Sequence, residues 1–130
     1  MIDAHFEHFG INVADKKRAT QWYVENLGLT VVRDVPEKMA FLADANGIVM
    51  LEVYHNPNAE RLDYAATDPL AFHVAFEVAD PKAAAEQLVE AGATIVDPFK
   101  RAGDDEMVML RDPFGMALQL VHRGTQMRRV

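Results

Sequence analysis

The sequence predicts an α+β fold built from two tandem βαβββ modules. Three observations carry that expectation. Strand and helix periodicities succeed one another in the same order twice. The halves also align residue by residue: "HFGINVAD" lies over "HVAFEVAD", "LGLTVV" over "AGATIV", and "LEVYH" over "LQLVH". Such self-similarity indicates a duplicated unit. Finally, 130 residues, half of them hydrophobic, suit one compact domain or two small modules sharing a core.

The first module spans about 6–55. "HFGINVAD" (8–15) alternates as a half-buried strand does. "KKRATQWYVENLG" (16–28) places Ala19, Trp22, Tyr23 and Leu27 at helical spacing, with Asp15 as N-cap and Gly28 as stop. "LTVVRDV" is rich in β-formers, and "KMAFLAD" and "GIVMLEVYH" flank the hairpin signal "ANG".

A linker, 56–71, has no strong period and contains Asn-Pro and Asp-Pro turn signals. The second module spans about 72–123. "FHVAFEVAD" reads as a strand, and "PKAAAEQLVEAG" as a helix with Asp80 as N-cap, Pro81 in its first turn and Gly92 at its end. "ATIVDPF" and "EMVMLRD" are strands about the turn "GDDE". "DPFG" turns the chain into the last strand, "MALQLVH".

Composition excludes several functions. The net charge is −7, which disfavours nucleic acid and anionic membrane as partners. There is no cysteine, hence no disulfide, thiolate metal site or cysteine nucleophile. No apolar run approaches the length of a membrane span, and the N-terminus lacks the features of a signal peptide. A cytoplasmic protein is expected. No glycine-rich phosphate loop or G-x-S-x-G nucleophile motif occurs.

Strand parity locates the chemistry. Phe9, Ile11 and Val13 face one way, and His8, Gly10 and Asn12 the other. In the duplicate, Phe72, Val74, Phe76 and Val78 oppose His73, Ala75 and Glu77. The apolar sets belong under the helices. In the closing strands Leu51 and Val53 oppose Glu52 and Tyr54, while Leu118 and Leu120 oppose Gln119. Four groups able to bind a metal, His8, Glu52, His73 and Gln119, therefore share the uncovered face at equivalent places in the two repeats. A lone strand histidine is more often packed than ligating, and a lone Glu more often solvated. The paired recurrence favours a ligand set.

The segments "HFGINVADKKRATQWYVENLGLTVV", "FHVAFEVADPKAAAEQLVEAGATIV" and "LRDPFGMALQLVH" resemble the vicinal oxygen chelate superfamily over roughly 6–123. That superfamily contains glyoxalase I, bleomycin-resistance proteins, extradiol dioxygenases, fosfomycin-resistance enzymes and methylmalonyl-CoA epimerase. The resemblance implies the glyoxalase/bleomycin-resistance/dihydroxybiphenyl-dioxygenase-like fold, with curved sheets about a cleft. It implies metal ligands on the first and last strands of each module, which here are His8, Glu52, His73 and Gln119. It also implies a homodimer.

The family often has Glu at the fourth position, where this chain has Gln119. An amide oxygen can ligate but cannot act as a base, so Glu52 is the expected catalytic residue. Two imidazoles, a carboxylate and an amide suit Zn²⁺, Ni²⁺, Mn²⁺, Co²⁺ or Fe²⁺. The expected function is a metal-dependent enzyme on a small vicinal-oxygen substrate, a lyase or isomerase of glyoxalase type ahead of a dioxygenase. The alternative is a metal-free binding protein of the bleomycin-resistance type. Asn12, Tyr54 and Glu77 are expected to line the substrate cleft. Glu77 lies about 13 Å along the strand from His73 and Tyr54 about 7 Å from Glu52, so Glu77 suits a rim position.

Overall fold

A computed structural model describes residues 1–127. The chain divides into two units, Met1–Leu62 and a second beginning at Asp63. Each is a four-stranded mixed sheet with one α-helix, so the two βαβββ modules and the α+β class are both present.

In the first unit, β1 (Phe9–Asn12) is followed by α1 (Lys16–Leu27), β2 (Thr30–Val35), β3 (Met39–Ala43) and β4 (Val49–Tyr54). The strand order is β1-β4-β3-β2. The first strand thus pairs in parallel with the last, and the other neighbours are antiparallel. Asp15 caps α1 by accepting from the Arg18 amide, and Gly28 ends it at φ 67°. The helix buries Ala19, Trp22 and Tyr23 and packs on β3 and β4. Ala40, Leu42, Leu51 and Val53 form the buried side of the sheet. This is the face that parity assigns to the core.

The second unit repeats the plan. β5 (Val74–Glu77), α2 (Pro81–Glu90), β6 (Thr94–Ala102), β7 (Asp105–Arg111) and β8 (Ala117–His122) give the sheet order β5-β8-β7-β6. Asp80 accepts from the Ala83 amide at the start of α2. Val108, Leu110, Leu118 and Leu120 fill its core. Among the described residues, no helix is long and apolar enough to cross a membrane.

Three details depart from the sequence reading. His8 and His73 each lie one residue ahead of their strands, whose ladders start at Phe9 and Val74. The strand expected to end at Phe99 continues to Ala102, through Asp97-Pro98. β6 is an edge strand with register shifts on both sides of Asp97, so Pro98 interrupts no central ladder. The turn expected over "GDDE" (103–106) is therefore confined to Gly103 and Asp104, between the ends of β6 and β7.

The linker 56–71 is divided between the units. Residues 56–60 are held by Asn12. Residues 64–67 form a short 3-10 turn, Tyr64–Ala66, held by Arg111. One guanidinium nitrogen of Arg111 donates to the carbonyls of Tyr64 and Gly115, at 2.8 and 3.0 Å, and another to Thr67, at 2.8 Å. The "DPFG" turn is organised by buried Asp112, which accepts from the amides of Phe114 and Met116.

Candidate metal centre

Backbone register puts the sequence-predicted donors at equivalent places. In the first unit Gly10 is the parallel partner of Glu52. In the second, Ala75 is the parallel partner of Gln119. Each histidine stands two residues before the small partner, so His8 relates to Glu52 as His73 relates to Gln119. Leu51 and Val53 are buried while Glu52 and Tyr54 are half-buried, as one covered and one open face require.

In the first unit the pair is already in contact. His8 Nε2 lies 2.9 Å from Glu52 Oε2. Its Nδ1 is bound by Glu7, and its ring meets Phe41 edge-on at 5.2 Å. The hydrogen bond to Glu7 is the main cause of a raised His8 pKa; partial burial opposes it, and the charges of Glu7 and Glu52 add to it. In metal-free protein, the His8 resonances in NMR are expected to titrate above the ordinary value of 6.5. Glu7→Gln should reverse the shift more than Glu52→Gln. The stability that these pairings contribute is full below 6.5 and lost as pH rises through the raised value. Metal ligation needs the unprotonated ring and gains over that same interval. A His8 midpoint at or below 6.5 would contradict this account.

In the second unit His73 Nδ1 lies 2.7 Å from the Pro69 carbonyl oxygen. A carbonyl can only accept, so Nδ1 carries the hydrogen, and in the neutral ring the lone pair is on Nε2. This is the usual support for a ligating imidazole. The turn behind Pro69 is built by Asp68, whose side chain accepts from the Leu70 amide and whose carbonyl accepts from Ala71. Gln119 is half-buried, and its amide has no hydrogen-bond partner among the described residues. Its carbonyl oxygen is free to ligate.

Each unit thus presents two donors of the types a borderline divalent cation takes: His and Glu in one, His and an amide in the other. Among the described residues, no group of three or more His, Cys, Asp or Glu side chains is gathered. The fit rests on the two pairs.

The substrate-facing expectations resolve differently. Asn12 is buried. Its amide nitrogen donates to the carbonyls of Asn56, Ala59 and Glu60, and its oxygen accepts from the Asn56 amide. It anchors the 56–60 loop. Tyr54 lies across Gly10: a Cβ there would stand 3.0 Å from Tyr54 Cε1, so glycine makes room for the ring. Tyr54 and Glu52 line a concavity of about 410 Å³ with Lys38 and Met39. Glu77 accepts a hydrogen bond from Gln126.

A concavity of about 1050 Å³ lies along α1 and β2 of the first unit. Lys16 in it pairs with Asp34, Asp15 caps the helix, and His55 Nδ1 is on the Val13 carbonyl. Size alone therefore does not mark the chemical site, since Asp15, Lys16 and Asp34 in it already hold structure together.

These features define a duplicated βαβββ protein with a donor pair at the same place in each repeat. Residues 5–120 match the family model for the Glyoxalase/Bleomycin resistance protein/Dioxygenase superfamily, and the chain belongs to that superfamily. A search of curated protein sequences found no match. Among solved structures, the chain is similar to TnmS3, an antibiotic binding protein from Streptomyces sp. CB03234. The identity is 22%, the TM-score 0.72, and 95% of this chain and 99% of that one are covered. It is also similar to a glyoxalase-related enzyme from Fulvimarina pelagi, at 18% identity, TM-score 0.70, and 92% and 88% coverage. A possible glyoxalase from Bacillus cereus gives 20% identity, TM-score 0.67, and 89% and 96% coverage. At these identities the likeness establishes the fold.

Proposed function

We propose that the protein is a divalent-metal-dependent enzyme acting on a small substrate with vicinal oxygens, by glyoxalase-type lyase or isomerase chemistry. The observation that carries this reading is the matched register of the two pairs, Gly10 to Glu52 and Ala75 to Gln119, with a histidine two residues ahead in each. The register follows from the duplicated fold, but a protein that only sequestered an organic molecule would have no need of both histidines and Glu52 at those places.

His8, Glu52, His73 and Gln119 are the residues that would hold the metal. When bound, it would supply Lewis-acid polarisation of the substrate oxygens. The protein's own groups do the rest. His73 is oriented by the Pro69 carbonyl before any ligand arrives, which lowers the entropic cost of binding. Glu52, half-buried beside His8, is the carboxylate that accepts a substrate proton. Gln119 cannot do so. Tyr54, on the face of Glu52, supplies a hydroxyl donor to a substrate oxygen. This reading extends to a cytoplasmic homodimer, whose oligomeric state sedimentation would measure.

The test is metal analysis of chelator-treated protein before and after addition of Ni²⁺, Zn²⁺ or Mn²⁺. Uptake near one ion per chain supports the reading. Failure to take up any of the three sinks it. The second reading is a metal-free binder of small organic molecules. It is favoured by the lack of a gathered acid and histidine cluster among the described residues, and by likeness to a protein described as antibiotic binding.

A further inference from the structure

The open face of the first sheet does not end at the His8–Glu52 pair. Arg33, Phe41, Glu52 and Gly10 are successive register partners across β2, β3, β4 and β1. They form one row, and neighbouring strands lie about 4.8 Å apart. Phe41 stands in the middle of it. Its ring takes the edge-on contact with His8 at 5.2 Å and lies beneath the Arg33 guanidinium, 5.8 Å from the ring centre. Arg33, His8 and Phe41 line one concavity of about 400 Å³, with Glu7 and Val32.

Arg33 forms no ion pair among the described residues, although the chain carries 20 carboxylates. The nearby carboxylates are occupied. Glu7 is bound to His8, Glu52 faces His8, and Asp34 is taken by Lys16. A guanidinium posed on an aromatic ring keeps its hydrogen-bonding edge outward, where its flat fork matches a carboxylate.

We propose that Arg33 binds a carboxylate of the substrate, so that the enzyme acts on small acids whose carboxylate is set apart from the vicinal oxygens by a spacer. Arg33 and Glu52 are two strands apart, roughly 10 Å between backbones, and that interval demands the spacer. The pocket's volume of about 400 Å³ admits a small molecule. Phe41 is the positioning residue for the guanidinium. The proposal rests on the metal-binding reading above.

The experiment uses Zn²⁺-loaded protein and two matched probes, 3-(3,4-dihydroxyphenyl)propanoate and the neutral 4-ethylcatechol, titrated by calorimetry. Zn²⁺ uptake is measured first for every variant. The wild type is expected to prefer the acid by about tenfold, as one charge-assisted bidentate contact provides. Arg33→Met should bring the two affinities together while leaving Zn²⁺ uptake and 4-ethylcatechol binding unchanged. Arg33→Lys should keep part of the preference, and Phe41→Leu should weaken it. Normal Zn²⁺ uptake with no wild-type preference, or a preference that survives Arg33→Met, overturns the carboxylate subsite alone. Absent Zn²⁺ uptake by the wild type overturns the metal reading and the subsite with it.

Discussion

Gly115→Ala is expected to be among the most destabilising single substitutions in the chain, by on the order of 3 kcal/mol. Gly115 has φ 95°, and a Cβ there would stand 2.8 Å from the Ala65 backbone nitrogen and 2.9 Å from its Cβ. Neither obstacle is the far end of a flexible side chain. The turn and the 3-10 segment would have to separate, and they are bound together by Arg111, which donates to Gly115, Tyr64 and Thr67. Gly28→Ala provides the comparison. It also sits at positive φ but meets nothing within 4 Å, so it should cost only the backbone strain, about 1 kcal/mol. Urea unfolding should therefore show a midpoint loss for Gly115→Ala at least about twice that for Gly28→Ala. Equal losses would mean that the turn can open freely. Since residues 64–67 lead into Pro69, the same variant should also disturb the orientation of His73.

The second large effect is expected at His73. His73→Ala removes a donor that the Pro69 carbonyl has already aligned. Competition against a coloured chelator should show metal affinity falling by about 100-fold or more, since altering mere supporting partners of a ligand costs 10–100-fold. The side chain is only half-buried, so the far-ultraviolet circular dichroism should not change. A loss below about threefold would remove His73 from the ligand set and favour the metal-free reading. Gln119→Glu is the informative companion, because a carboxylate there adds charge to the donor set and should tighten binding.

Much of this was legible in the sequence because strand periodicity is a two-state signal. Once Leu51 and Val53 are assigned to the core, Glu52 has only one face left, and the observed burial follows that alternation. Both helices were legible for a similar reason, since Asp15 and Asp80 announce their starts and the apolar spacing gives the buried stripe. What parity could not reach was where polar side chains spend their hydrogen bonds. Asn12 shares a face with His8, yet its amide is engaged by a loop more than forty residues away in sequence.

Arg111 closes the strand "EMVMLRD", as the sequence predicts, but its hold on residues 64–67 leaves no local trace. The continuation of β6 from Phe99 to Ala102 was hidden because "KRA" carries no alternation of apolar and polar residues. The row from Arg33 to Gly10 was equally invisible. It needs the register of three strand pairings, one of them with a bulge between Val31 and Arg33.

The parallel pairing of first and last strands in each unit has a kinetic consequence. Glu52 meets Gly10 only after the whole intervening helix and hairpin have been laid down, and Gln119 meets Ala75 only after the same sequence of events in the second half. Each donor pair is thus closed by the most non-local contact of its sheet. Such contacts place a chain among slower folders, in the millisecond-to-second range typical of high contact order. A nascent or truncated unit lacking its final strand holds a histidine without its companion. On the metal-dependent reading proposed above, competence to capture an ion would therefore arrive late, with completion of each sheet.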